Sequence, residues 1–305
     1  MPLFILKRLL GFIPVLWVIV TMTFFLVRLA PGGPFDQERR VSPEAMRRLE
    51  EAYNLDAPLW RQYVDYLAGV VRADFGPSFR KPSRTVREWI LLRIPVSLEL
   101  GLYGLVVALT VGLSAGLLAS LKPNSLLDQA PMSLAMVGIC VPNFVLGPLL
   151  VLIFALWLDK LPVAGWEVPK DKILPSLTLG AMYAAYIARL TRGGMLEVLS
   201  QDFIRTARAK GLGEVRVVLK HGLRGGIQPV VAYLGPATAG LLTGSFVVET
   251  IFQVPGLGRE FVESAFNRDY TMIIGTVLVY ATLVLFFNLV ADVVHAWLDP
   301  RIRTE

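Results

Sequence analysis

The chain has 305 residues, 54% of them hydrophobic, with a mean hydropathy of +0.58 and a formal net charge of +6. Soluble domains hold about 45–50% apolar residues, so the excess points to an integral membrane protein, and the positive charge reads as basic residues kept on the cytoplasmic side rather than as a nucleic-acid surface. A single cysteine, Cys140, excludes an intrachain disulfide and a cysteine-rich metal site, and the two histidines, His221 and His295, form no H-E-x-x-H zinc motif.

A helix needs about 20 apolar residues to cross about 30 Å of hydrocarbon. Six stretches qualify, at residues 9–29, 95–121, 131–158, 173–190, 229–251 and 271–297. The first is longer than a signal-peptide core and no A-x-A site follows, so it reads as a retained span. The expected fold is an all-α integral membrane protein, a single transmembrane domain over residues 1–305 with six transmembrane helices. Pro142 and Pro148 interrupt the third span, where neighbours can satisfy the freed carbonyls.

Residues 30–94 form a long connection. Ser42-Pro43-Glu44 is a helix start, with Ser as N-cap and Pro at the first helical position. A second helix starts near Pro58, with Trp60, Val64, Leu67 and Val71 on one face. Such amphipathic helices suit the bilayer surface or a binding partner. Lys7 and Arg8 precede the first span, Arg301 and Arg303 follow the last, and the connection between spans four and five is strongly basic. With six spans all three lie on one side, the cytoplasm by the positive-inside bias, and residues 30–94 lie outside.

That basic connection, residues 191–228, is the most unusual part of the sequence. It reads as helix, glycine hinge, helix. Arg208 and Lys210 suit a helix C-terminus, Gly211 a helix stop, and Gly213 and Glu214 open a second short helix through Val217, Val218 and Leu219. Small Ala207, Ala209 and Gly211 offer close approach to another protein. His221 reads as a polar or capping residue.

Gly112-Leu113-Ser114-Ala115-Gly116 matches both G-x-S-x-G and G-x-x-x-G. The serine pattern marks a nucleophile only on a strand–turn–helix elbow; inside an apolar helix the glycine spacing reads as close helix packing, and Gly240 and Gly244 repeat it. An intramembrane serine protease is the rival reading. A membrane scaffold without transport is another. No G-x-x-x-x-G-K-[ST] is present, so any ATP-driven step needs a separate ATPase chain. Polar residues within or beside spans include Glu99, Asn143, Arg189, Thr238, Thr243, Glu249, Asp292 and His295. Of these, Glu99, Asn143, Thr238, Thr243 and Glu249 are candidates to line a substrate path, with interfacial placement as the alternative for the two glutamates. Asp292 and His295 suit solvated anchoring.

At Arg205-Thr206-Ala207-Arg208-Ala209-Lys210-Gly211, followed by His221-Gly222-Leu223-Arg224, the chain resembles the membrane-spanning subunits of binding-protein-dependent ABC importers. Their EAA motif reads E-A-A-x-x-x-G-x(9)-I-x-L-P. Ala207, Gly211 and Leu223 match, while Arg205, Thr206, His221 and Arg224 depart from it in the manner of the peptide-permease branch. Arg28–Asp36, Ala73–Phe79, Ile187–Gly193, Val248–Gly258, Asn267–Tyr270 and Asp299–Arg303 also resemble the B-type subunits of that branch.

The resemblance implies a type I ABC importer permease of the bacterial inner membrane, not itself an enzyme, with both termini cytoplasmic. It implies a C-type permease subunit as partner, two cytoplasmic ATPase subunits holding ATP and Mg, and an extracytoplasmic peptide-binding protein, with no cofactor or metal on this chain. Residues Arg205 to Gly211 and Leu223 are then the ATPase-coupling element. Oligopeptides are the expected cargo; similar subunits serve dipeptide, nickel, glutathione and oligosaccharide importers.

Overall fold

The computed structural model describes residues 2–30, 33, 34 and 55–298, with side chains over 5–30, 33, 34 and 55–294. The helix start at Ser42 and the basic Arg301 and Arg303 lie outside the described residues. Hydrophobic length dictates the main elements. Five helices are long and apolar enough to cross a membrane by themselves, and a sixth span is formed if a bent pair is taken together. The described residues fall into two compact units, one of residues 2–96 and 255–285, the other of residues 97–254 and 286 onward.

The first unit holds α1 (Pro2–Leu29), α2 (Leu59–Val71), the first turns of α3 (Val86–Leu121), α12 (Leu257–Phe266) and the start of α13 (Tyr270–Leu298). Helix α2 starts directly after Pro58, as the sequence predicts. Its Trp60, Val64 and Val71 are exposed, while Tyr63, at the edge of that face, packs edge-on to Phe24 of α1 and shares a 2.6 Å hydrogen bond with Thr21. Helix α3 has 36 residues; at 1.5 Å each it runs about 54 Å, longer than the bilayer core, so it starts nine residues ahead of the expected span.

Asp269 organises this unit. It is buried, and its carboxylate accepts from Ser78 Oγ, from the amides of Phe79 and Arg80 at 3.2 and 3.3 Å, and from the Met272 amide at 3.2 Å. One side chain thus caps α13 and holds the turn at residues 78–80. Arg80 reinforces the junction, donating to the carbonyls of Asn267 at 2.9 Å and Pro34 at 2.6 Å. Three of the segments that carry the family resemblance therefore meet at one place.

The second unit is built around α6 (Ile173–Leu199), which packs against α4 (Leu126–Cys140), α5 (Asn143–Val151), α9 (Leu223–Gly226), α10 (Gln228–Leu242) and α11 (Phe246–Ile251). More than half of its span is buried. A Cβ on Gly112 would lie 2.7 Å from the Ala184 carbonyl oxygen, and one on Gly116 2.5 Å from that of Ala188. The glycine pair is thus the seat of α3 on α6, while Ser114 is exposed on the other side. This is the helix-packing arrangement, with no strand–turn–helix elbow around the serine.

Three expected spans need correction. The third is two helices: α4 ends at Cys140 and α5, continued by a π-helical turn (Leu152–Trp157), leaves at 115°. Val141 is extended, as a residue before proline prefers, and Pro142 has no N–H to carry the helix on. The fourth runs to Leu199 rather than residue 190, because its polar last turns still pack against α9. The fifth breaks at Thr243–Ser245, where Gly244 takes φ +77° and Ser245 caps α11. The Gly240/Gly244 spacing is therefore not a packing pair: Gly240 meets the Tyr183 hydroxyl, and Gly244 makes the break beside Glu249.

An ion pair fastens α4 to α6. Arg192 donates to both carboxylate oxygens of Asp128, at 2.6 and 2.7 Å, and the Asn124 amide adds a third donor at 2.9 Å. Asp128 is 4% exposed. A buried pair of this geometry gives little net gain over an apolar one, but removing one partner strands the other.

Two outcomes follow for thermal unfolding of the detergent-purified protein. Gly116→Leu forces α3 from α6 and destabilises by about 1–3 kcal/mol, whereas Ser114→Ala leaves the melting temperature unchanged; equal effects would show that the glycine contact is not the seat. Arg192→Ala lowers the melting temperature by leaving Asp128 without its counter-charge, and the Arg192→Ala, Asp128→Ala double variant recovers part of that loss. A double variant as unstable as the sum of its singles would exclude the pairing.

Candidate functional site

The segment after α6 folds into a small self-supporting knob. Gln201 is extended, and α7 (Asp202–Ala209) follows with an acidic residue in its first turn and Arg208 in its last, the polarity the helix dipole favours. Lys210 ends the helix and Gly211 turns with φ +77°, its N–H bonding the Arg208 carbonyl at 2.9 Å. Only glycine adopts that conformation without strain. Gly213 then opens α8 (Glu214–Arg216), whose chain winds through a π-helical turn (Val217–Gly222) into α9. The order helix, glycine turn, helix agrees with the reading of the sequence.

Two interactions hold the knob in shape. Ile204, Ala207 and Val217 are buried together, with Leu199 and Leu212 packed against them. Across the glycine turn, Arg208 grips Glu214 with two hydrogen bonds, at 2.6 and 3.1 Å. That contact holds the Glu214 carboxyl below the usual glutamate range and raises Arg208. Both side chains are over two-fifths exposed, so solvent and salt screen the pair and its worth is geometric. The knob is seated on α6 at contact distance: a Cβ on Gly194 would strike the Gly226 carbonyl oxygen, and one on Gly222 would lie 3.0 Å from Leu199 Cδ2.

Ala207 requires a correction. Its small size suggested close contact with another protein, but it is only 6% exposed and points into the knob's own core, one turn after Ile204. Arg205, Thr206, Arg208, Ala209, Lys210 and Gly211 are exposed, and nothing stands within 4 Å of a Cβ placed on Gly211. Arg205 bonds Asp202 one turn back at 3.2 Å, and Thr206 Oγ1 donates to the Asp202 carbonyl at 3.0 Å. Leu223 is half-buried at the start of α9. Phe203, Val215 and Leu219 also stand exposed, at 47%, 73% and 53%. The motif does not contain these three apolar residues. A recess of about 460 Å³ between Phe203, Lys220, His221, Arg224, Gly225 and Gln228 adjoins them.

The residues read from sequence as a path do not form one cluster. Glu249 is fully buried and accepts from Ser97 Oγ at 2.8 Å, packed beside Gly244. Thr243 is 8% exposed and its hydroxyl donates back to the Ala239 carbonyl at 2.9 Å. Both support the break in the fifth span rather than an open surface, because a buried carboxylate must be hydrogen-bonded. Glu99 is half-buried and tied to the foot of α6, accepting from Lys172 at 2.5 Å and from Trp166 Nε1 at 3.1 Å. Asn143 and Thr238 are half-buried on α5 and α10. Asp292 is half-buried on α13, and the His295 side chain lies outside the described residues.

The knob on a membrane-spanning bundle can be compared with known proteins. The family model for the binding-protein-dependent transport system inner membrane component matches residues 108–304, and its N-terminal companion matches residues 1–101. The oligopeptide transport system permease protein OppB of Haemophilus influenzae is 46% identical over 302 residues, covering 98% of this chain and 99% of that protein. OppB of Escherichia coli K12 gives the same values. The dipeptide transport system permease protein DppB of Bacillus subtilis is 44% identical over 303 residues, covering 99% and 98%. A crystal structure of an amino acid ABC transporter with histidines matches 68% of this chain and 92% of its own, with a TM-score of 0.52 at 18% identity, a likeness of fold alone. The chain therefore belongs to the family of inner-membrane components of binding-protein-dependent transport systems, and it is a multi-pass membrane permease subunit with the type I ABC permease fold.

Proposed function

We propose that this chain is one of two permease subunits of an ATP-driven importer that carries oligopeptides across the inner membrane. The observation that carries the reading is the 46% identity to OppB over nearly the whole chain. The knob lies on the cytoplasmic side with both termini, and residues 30–94 lie outside, where a peptide-binding protein delivers cargo. A C-type permease subunit completes the route, and two ATPase chains bind and hydrolyse ATP with Mg.

The knob is the ATPase contact. Exposed Phe203, Val215 and Leu219 supply an apolar centre, and Arg205, Arg216, Lys220 and Arg224 a basic rim, the arrangement expected of a protein interface. Thr206, Arg208, Ala209, Lys210 and Gly211 lie on the same element. Ala207 acts through the knob's core, and Leu223 links it to α9. A push on the knob reaches α6 through the Gly194–Gly226 and Gly222–Leu199 contacts, and α6 is continuous over its 27 residues. ATPase closure is thereby converted into movement of a whole span. Dipeptide cargo is a second reading, favoured by the 44% identity to DppB over the same length.

Uptake of a labelled pentapeptide in a strain lacking this gene, with and without the complementing chain, tests the assignment. Complementation restores uptake; transport that persists without the chain excludes it. Competition by unlabelled di-, tri- and pentapeptides ranks the two cargo classes. In the same assay Gly211→Asp abolishes uptake while the protein remains inserted, and Gly211→Asn, which tolerates positive φ, retains most of it. Phe203→Ala with Leu219→Ala lowers recovery of ATPase subunits in gentle-detergent purification by tenfold or more, on the order expected for two apolar anchors. Unchanged recovery would exclude the exposed apolar centre as the contact.

A further inference from the structure

Large apolar side chains stand exposed along α1, α3, α4, α5 and α13, as lipid contact demands. Helices α6 and α10 differ. After Ile173, the exposed residues of α6 are Tyr186, Arg189, Gly193 and Glu197, and those of α10 are Gln228, Pro229, Ala232 and Pro236. Each set follows helical spacing and forms one uncovered strip. Tyr186 and Tyr233 join the two strips, with ring centroids 5.8 Å apart. Arg189 lies one turn beyond Tyr186, with a guanidinium nitrogen 2.9 Å from Met136 Sδ.

A strip whose exposed residues include an arginine, a glutamate and a tyrosine but no leucine, isoleucine or valine is poorly matched to hydrocarbon. Ionisable residues within spans face water-filled routes or partner groups. Arginine offers a planar fork suited to a carboxylate, and a tyrosine one turn away adds a hydroxyl. We propose that this α6–α10 face is the wall of the cargo route in its cytoplasmic half, and that Arg189, with Tyr186 and Tyr233 beside it, receives the free carboxylate of the passing cargo. The cargo class rests on the peptide-import reading; the wetness of the face does not.

The test uses the complete importer in proteoliposomes, with binding protein saturated by a tripeptide carrying either a free or an amidated C-terminus. Arg189→Gln slows import of the free-carboxylate peptide by about tenfold, the factor carried by one charge-assisted hydrogen bond, and leaves the amidated peptide at the wild-type rate. Arg189→Lys restores most of the loss. Equal slowing of both peptides, or none of either, overturns the assignment of Arg189. In parallel, Tyr186→Cys and Ala232→Cys are introduced with Cys140→Ser, since Cys140 is exposed. Both new thiols react with a charged methanethiosulfonate reagent, and cargo slows the reaction. Unreactive thiols mean that lipid or the other permease subunit covers the face, which overturns the wall. An importer that carries no peptide refutes the proposed cargo, and the thiol reactivity still decides whether the face is wet.

Discussion

Close backbone approach to α6 is the constraint on which the second unit depends. In a bilayer, apolar residues gain nothing by leaving lipid for one another, so helices associate through van der Waals contact at short range. Gly112 and Gly116 bring α3 within touching distance of the α6 backbone, and Gly138 does the same for α4 at the Ala181 carbonyl. These contacts bury most of α6, leave it one narrow open strip, and extend through Gly194 and Gly226 to the knob. Helix, strip and knob are consequences of one packing rule.

The first unit is governed by hydrogen bonding instead. Asp269 is buried, and backbone amides from two separate stretches and two hydroxyls converge on its carboxylate. Buried charges persist where donors are this numerous. In the same unit Trp89 sits among Lys81, Arg84 and Arg93, each within 5.5 Å of the ring, and Glu260 lies within reach of Lys81 and Arg93. Cations held by a ring face and a buried carboxylate give this region stiffness that its short hydrophobic clusters alone do not supply.

Much of the fold was legible in the sequence because its signals are local. Hydropathy located the apolar stretches, and the residues around Gly211 located both knob helices, since a helix end and a glycine turn leave adjacent marks. The misplaced elements depend on geometry that local patterns lack. Pro142 was visible, but a proline within a span can kink it by a little or turn it through 115°, and packing decides which. Ala207 and Ala209 are alike in composition, yet their positions around α7 send one inward and leave the other exposed. Arg208 and Glu214 are joined across a turn, outside the three- and four-residue spacing at which helical pairs are sought. Glu249 was recognised as an expensive charge, but not that Ser97, distant in sequence, satisfies it.

The Asp128–Arg192 pair also bears on how the chain enters the membrane during synthesis. Asp128 emerges 64 residues before Arg192, and the span that contains α6 is the least apolar of the five candidate spans. Asp128 therefore has no counter-charge until the far end of α6 has been made, and the pair that fastens α4 to α6 closes only after both helices have been synthesised.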